Sequence, residues 1–233
     1  GWYFSLNNPF GGLTQITDVS WSGATRADYL DTYLIWNAPG TNEFWCSDSN
    51  TLVPIDPLYF ATKTSYPDQI QSLIVSRNEV VILGTLKSEV WYLTGDAQFP
   101  FGRAQGTNIE HGTCAKYSPA AADLSVFWLS QDLSGQGIVY RRRGNEIARI
   151  SNFALEYALQ QMARDGMISD AVGYCYQRDG HWFYKLTFPD GNQTWVWDES
   201  VGDPMLGWHQ EAWVGTNGSF NRARGWLGAF IHG

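Results

Sequence analysis

The sequence lacks most of the features that would assign it to a functional class at sight. It contains no apolar run of about 18 or more residues, so no segment reads as a helix crossing a membrane. It has three cysteines, Cys46, Cys114 and Cys175, an odd number at wide spacings that suits neither a disulfide framework nor a zinc site and reads as buried free thiols. Positive charge is scarce. The 15 Lys and Arg residues against 23 Asp and Glu leave a net charge of −8, the wrong sign for gripping nucleic acid by its phosphates, so any contact with DNA is expected to be local or passing. Missing too are a phosphate-binding glycine loop, a metal-ligand spacing, and a nucleophile, base and orienting group at any known catalytic interval. The expectation is a protein that is not an enzyme and takes no cofactor. Position 1 is Gly1 and not methionine, and it leads at once into residues that read as strand, the pattern of a processed chain or an excised domain.

What is present is aromatic, apolar and punctuated by glycine. Trp, Tyr and Phe number 12 each, Gly numbers 24, and 44% of the residues are hydrophobic, ample for a core. The stretch SLIVSRNEVVILGTLKSEVWYLTG, from Ser72 to Gly95, holds three β-rich runs joined by polar turns at Arg77–Asn78 and Thr85–Ser88. Stepping 46 residues back from Val80 reaches Leu34 in YLIWN, and stepping 46 forward reaches Val126 in VFWLS and then Val172 in VGYCY. A fixed period of about 40 to 50 residues made of short strands is the signature of a β-propeller, one blade per repeat. The expected fold class is therefore all-β, a single propeller domain or propeller portion over 1–233 built of four-stranded antiparallel blades. Blade cores fall near 24–60, 70–105, 116–151 and 164–214, and the termini, 1–22 and 215–233, are expected to share a further blade. Trp36, Trp91, Trp128 and Trp195 lie inside strand runs and read as blade-to-blade packing.

Two segments interrupt the repeat. The loop from Asp96 to Lys116 is rich in turn formers, and the stretch SNFALEYALQQMARDG is the one convincing helix. In that helix Leu155, Leu159 and Met162 share a face, Ser151 or Asn152 caps the start, and Gly166 ends it. A propeller needs only short turns between strands, so a long loop and a lone helix add an ordering cost that partner contacts would offset. On that reading Phe99, Phe101 and His111 are candidate contacts to a neighbouring subunit or partner. Arg141, Arg142 and Arg143 alternate across a strand and read as charge protecting an exposed edge, as an offer to an acidic partner, or as a contact to phosphate. The competing reading folds the loop back on its own blade and uses the helix to plug the rim. Asp96, Glu110 and His111 also share this loop, but proximity in sequence is not a catalytic constellation, and they read as polar groups that satisfy the loop's own backbone.

The words EVWYLTGDAQFPFGRAQGTNIEHGTCAKYS, VFWLSQDLSGQGIVYR, ARIS, ISDAVGYCYQRDGHWFYKLTFP, TWVWDES and WHQEAW, in that order from about Tyr33 to Trp213, are similar to the packaged-DNA stabilisation proteins of short-tailed bacteriophages, also called tail accessory factors or tail hub proteins. Members of that family are generally longer than this chain. The resemblance implies a structural virion protein of the phage tail, assembled in the host cytoplasm. Its copies form a sixfold homo-oligomeric ring below the portal and adaptor, contact the tail needle or tailspike proteins, extend the DNA conduit and help retain packaged DNA. It implies no catalytic residue, no cofactor, no membrane and no sequence-specific DNA binding. A net negative chain is compatible with a channel wall that lets DNA pass. The alternatives are a carbohydrate-binding or glycoside-cleaving propeller, whose enzymatic form would be favoured by Trp91 and Trp128 exposed around a pocket holding two carboxylates about 5 to 10 Å apart, and a soluble scaffold propeller unconnected to phage.

Overall fold

Of the apolar runs that set the repeat, EVVILG and VFWLS become strands buried on both faces, YLIWN is buried over Ile35 to Asn37, and VGYCY is only partly buried. The structure is a computed structural model and describes residues 1–3 and 12–223. It opens with a short ladder between β1 (Trp2–Tyr3) and β2 (Thr14–Gln15). Four sheets follow, each of four antiparallel strands paired in chain order. Blade 1 comprises β3 (Ala27–Leu30), β4 (Tyr33–Asn37), β5 (Glu43–Cys46) and β6 (Phe60–Thr62). Blade 2 comprises β7 (Ile70–Ser76), β8 (Glu79–Gly84), β9 (Ser88–Leu93) and β10 (Phe101–Arg103). Blade 3 comprises β11 (Ala120–Ala122), β12 (Ser125–Gln131), β13 (Gly137–Arg143) and β14 (Glu146–Arg149). Helix α1 (Phe153–Arg164) then precedes blade 4, which comprises β15 (Val172–Arg178), β16 (His181–Phe188), β17 (Gln193–Asp198) and, after the one-turn helix α2 (Pro204–Gly207), β18 (Trp208–Gln210). A second short ladder joins β19 (Ala212–Val214) to β20 (Phe220–Arg222).

The first strands β3, β7, β11 and β15 touch in succession, so they form the inner edge around which the blades are arranged. Strand alternation then assigns each side chain to one seam or the next. In β8, Val80 and Ile82 pack with Phe44, Leu30 and Trp91 in the seam between blades 1 and 2, while Val81 and Leu83 pack with Val126 and Trp128 in the seam between blades 2 and 3. In β12, Phe127 and Leu129 turn the other way, towards Tyr184, Leu186 and Trp197 of blade 4. An inner blade with apolar neighbours on both faces needs a continuous apolar run, which is why EVVILG and SVFWLSQ do not alternate with polar residues.

The repeat is regular for three blades and lengthens at the fourth. The second strands of blades 1, 2 and 3 begin at Tyr33, Glu79 and Ser125, in steps of 46, whereas that of blade 4 begins at His181, a step of 56. Leu34, Val80 and Val126 therefore sit in equivalent second strands, but Val172 opens the first strand of its sheet. This corrects the expected equivalence of all four positions. Helix α1 and the turn after it lengthen the third repeat, so a fixed count of residues arrives one strand early. A better marker is the turn between first and second strands. Asp31, Arg77, Asp123 and Asp179 occupy it in the four blades, each with φ between 50° and 57°, a left-handed conformation that aspartate tolerates better than most residues.

Helix α1 forms where expected. The Asn152 side chain accepts from the Leu155 N–H at 2.9 Å, and Leu155, Leu159 and Met162 are buried against β13 and blade 4. The link between blades 1 and 2 is held by buried charge. Lys63, whose side chain is 0% exposed, contacts the Asp68 carboxylate and donates to the Tyr66 carbonyl at 2.8 Å. Glu89, equally buried, accepts from the N–H groups of Thr64 and Ser65 and from the Trp91 indole. The outer face of blade 1 is covered by Ile16, Trp21 and Ile55 against Trp36. The two terminal ladders are separate two-stranded sheets among the described residues. The expected opening strand beyond Tyr3 and the closing strand beyond Ala223 fall outside the described residues.

Candidate functional site

The loop from Asp96 to Lys116 is mostly an internal seam. Phe101 is buried and Phe99 packs beside it, with edge-on contacts to Tyr33 and Phe44 at 5.8 and 5.9 Å, so both rings belong to the core between blades 1 and 2. Further along, Ile109 and Ser88 exchange backbone hydrogen bonds at 2.8 and 2.9 Å, and the Thr113 N–H donates to the Gly84 carbonyl at 2.8 Å, tying the loop to blade 2. The Trp128 indole N–H donates to the Gly112 carbonyl at 3.1 Å and the Leu129 N–H to the Ser118 hydroxyl at 3.1 Å, tying it to blade 3. Just past the loop, the Tyr184 hydroxyl donates to the Ser118 carbonyl and the Gly173 N–H to the Tyr117 carbonyl, both at 2.9 Å, tying its end to blade 4. A Cβ at Gly112 would lie 2.4 Å from the Gly84 carbonyl oxygen, so only glycine allows this approach. Here is the physical content of the word EHGTCAKYS. The loop's ordering cost is offset by three blades of its own chain, with Phe101 buried and Phe99 half-buried in the seam, the arrangement of the competing reading in which the loop folds back on the blades.

The three arginines divide in the same way. Arg141 donates to Glu199 of blade 4 at 2.9 Å, and the other oxygen of Glu199 accepts from the Trp197 indole at 2.7 Å. Arg142, on the opposite face of β13 and 5% exposed, pairs with Glu79 of blade 2 at 2.8 Å. One strand thereby clamps both neighbouring blades. Arg143 alone of the three is exposed. Strand β13 is paired on both sides, which corrects the reading of the run as charge protecting an exposed edge, and the pairing of Arg141 and the burial of Arg142 leave only Arg143 free to meet a partner.

Of the residues read as candidate acid and base, Glu110 and His111 do come together with one another, but Asp96 does not join them. Asp96 caps the β9–β10 turn, where it accepts from the Gln98 N–H, at the far end of β9 from His111. Glu110 and His111 line a cleft of about 310 Å³ between blades 2 and 3, together with Tyr66, Leu86, Lys87, Gln131, Asp132 and Leu133. His111 stacks on Tyr140 with ring centres 4.0 Å apart, and burial outweighs the pull of Glu110 and holds its pKa below the ordinary value. Lys87 pairs with Glu110 at 2.5 Å. A second cleft, of about 590 Å³, is lined by Cys175, Tyr176, Gln177 and Trp182 on blade 4 and by Ala121.

A Ser-His-Asp grouping that the sequence reading passed over lies at the end of blade 4. His181 Nδ1 is 2.6 Å from the Ser200 hydroxyl, which is itself 2.6 Å from the Asp198 carboxylate. The serine lies between the other two, so its proton goes to Asp198 and the imidazole is not placed as its base; a nucleophilic triad needs the histidine in the middle. Trp91 and Trp128 are 8% and 0% exposed, so neither ring forms a platform for a sugar. Burial pushes the thiols of Cys46 and Cys114 up to about 12 and raises that of Cys175 as well, which makes all three poor nucleophiles. Among the described residues no group of three or more His, Cys, Asp or Glu is placed to hold a metal ion, and no helix is long and apolar enough to cross a membrane.

The surface left for contacts lies where the turns and α1 emerge. Leu133 is 95% exposed on the β12–β13 turn and Phe153 is 82% exposed at the start of α1, with Tyr157 one turn beyond it. The turn and the helix are joined by Gln136, whose amide donates to the Glu156 carbonyl at 2.9 Å.

Four-stranded antiparallel sheets set around a shared inner edge, with their seams filled by aromatic side chains and stitched by the connecting loops, define a β-propeller built for rigidity. Comparison with protein families gives the particular one. The family described as Bacteriophage P22 Gp10, beta-propeller, matches residues 1–229, and the chain belongs to it. It is thus a structural phage protein of the packaged-DNA stabilisation family. The comparison with curated proteins gave no match. Among solved structures the chain is similar to Hsv2 of Kluyveromyces lactis, at 10% identity and a TM-score of 0.43, covering 74% of this chain and 46% of that one. It is also similar to the N-terminal domain of Nup159 (8%, TM-score 0.42, 76% and 50%) and to the AfRom2 CNH domain (12%, TM-score 0.41, 75% and 54%). The chain spans about half the length of these structures.

Proposed function

We propose that this chain is a wall component of the phage head-to-tail connector: copies assemble as a ring below the portal and adaptor, extend the conduit and help retain packaged DNA. Membership of the packaged-DNA stabilisation family over residues 1–229 is the observation that carries this reading. Two features support it. The seams are closed by buried aromatics and by the Arg141 and Arg142 clamps, which suits a part that must resist the pressure of a packaged genome without moving. The net charge of −8 suits a wall along which DNA slides without being held. DNA, in this reading, passes without sequence-specific contact, and the ring meets its protein neighbours through the exposed side of α1 and the adjoining β12–β13 turn, with Arg143 adding exposed charge elsewhere on blade 3.

The test is assembly. Mass measured by light scattering, for the chain alone and mixed with a portal–adaptor complex, should show a defined ring of copies joining the complex. Replacing Phe153 and Tyr157 with Ser should abolish that joining while leaving the melting temperature unchanged, because both side chains are already in solvent. A chain that stays monomeric in the presence of the complex would overturn the ring reading.

A further inference from the structure

We propose that the cleft between blades 2 and 3 is a binding site for the arginine side chain of a partner polypeptide. Three independent features of the cleft converge on that occupant. The first is a flat platform. The His111 imidazole lies against Tyr140 at 4.0 Å with an interplanar angle of 12°, and the imidazole lines the cleft. A guanidinium is planar and weakly hydrated and stacks on such a ring, whereas a lysine ammonium is a strongly hydrated point charge. Burial keeps His111 uncharged near neutral pH, so it does not repel a cation.

The second is charge. Glu110 and Asp132 both line the cleft, and Lys87, the one basic side chain among its lining residues, is already held by Glu110. Asp132 accepts through one oxygen from the N–H groups of Ser134 and Gln136, and these bonds, with that from the Ser134 hydroxyl foremost, hold its carboxyl below the usual range, so it stays ionised. Among the described residues it has no salt-bridge partner, which leaves the cleft one negative charge in excess. Lys87 itself lies 5.4 Å from the centre of the Tyr66 ring, so the site already holds one cation between an aromatic face and a carboxylate.

The third is the walls. Leu86 and Leu133 face the cleft from the two blades and are 42% and 95% exposed. Apolar walls of that kind cover the methylene stem of a long side chain whose head is charged. At about 310 Å³ the cleft has room for one such side chain and not for a folded segment.

The experiment uses the isolated chain, so its outcome does not depend on whether the ring forms. Nα-acetyl-arginine amide is titrated in while the imidazole resonances of His111 and the methyl resonances of Leu86 and Leu133 are followed by NMR. The uncharged isostere Nα-acetyl-citrulline amide and the lysine analogue serve as comparisons. Saturable shifts confined to these residues are expected, with the citrulline compound at least about tenfold weaker because it lacks the charge-assisted contact, and the lysine compound weaker because its hydrated ammonium does not stack on the imidazole. Asp132→Asn keeps an oxygen for the turn and should weaken arginine binding about tenfold. Glu110→Gln, which does not touch the turn, should weaken it too by releasing Lys87 into the cleft. Equal shifts with citrulline amide, absence of saturation, or full binding in both variants would overturn the proposal.

Discussion

Trp36 and Trp128 occupy the same position in blades 1 and 3, the fourth residue of the second strand, and both are 0% exposed. They differ in one bond. The Trp128 indole N–H donates to the Gly112 carbonyl at 3.1 Å, whereas the Trp36 indole N–H is buried without a hydrogen-bond partner among the described residues. Replacing Trp128 with Ala removes a whole ring from the seam it shares with Val81, Leu83 and Val126, a loss of roughly 3 to 5 kcal/mol for a buried aromatic. Stranding the Gly112 carbonyl adds about 1 kcal/mol. The expected total is about 4 to 6 kcal/mol, read as the shift in urea midpoint at constant slope, followed by far-ultraviolet circular dichroism. The phenylalanine variants separate the two contributions. Trp128→Phe keeps most of the packing and loses the bond, so about 1 to 2 kcal/mol is expected; Trp36→Phe removes an unsatisfied donor and should change stability by less than about 0.5 kcal/mol or raise it. A Trp128→Ala loss under about 1 kcal/mol, or equal losses in the two phenylalanine variants, would refute the assignment of Trp128 as the bonded centre of the seam.

Gly173→Ala would place a Cβ 2.0 Å from the Ser118 carbonyl oxygen, where backbone meets backbone, so a loss of about 2 kcal/mol or more is expected in the same unfolding assay. Arg142→Ala should lower stability by about 1 to 2 kcal/mol, discounted because its partner Glu79 is 40% exposed and can rehydrate, while Arg143→Ala should stay within about 0.5 kcal/mol. At Asp68, burial raises the carboxyl pKa, but the N–H donors of Leu86 and Lys87 and the Lys63 ammonium outweigh it, leaving the folded pKa depressed. Its stabilisation is therefore complete above the unfolded value of about 3.9 and is lost as pH falls below that through the folded pKa. Melting temperatures measured from pH 5 down to pH 2 should fall less steeply in Asp68→Asn than in the parent chain, and parallel curves would show that the Lys63–Asp68 pair carries none of the acid sensitivity.

The strands of blades 1 to 3 were legible because their apolar runs are continuous and evenly spaced, and helix α1 because Leu155, Leu159 and Met162 keep a helical period behind a capping asparagine. The fourth blade was misregistered because a count of residues does not know that a helix has been inserted. Repeated turn residues Asp31, Arg77, Asp123 and Asp179 were the signal that could have corrected it, since a hairpin turn moves with its strands. Words such as EHGTCAKYS were legible as unusual, which sufficed to point to a family, but their purpose was not. Glycine at position 112 and serine at position 118 read locally as turn formers, and only the approach of three blades shows them as the points where backbone passes close and carbonyls are shared.

What this sequence determines by itself is periodic and local: all-β blades, one helix, the absence of a metal-ligand spacing and the family resemblance, all of which depend on neighbours a few residues apart. What only the tertiary structure decided is which side chains are already spoken for. Arg141, Arg142, Phe99 and Phe101 look available in the chain and are engaged in the fold, because the groups that satisfy them lie on other blades. His111, Asp132 and Leu133, separated by some twenty residues, line one cleft for the same reason: the seam between two sheets brings together residues that no local period connects.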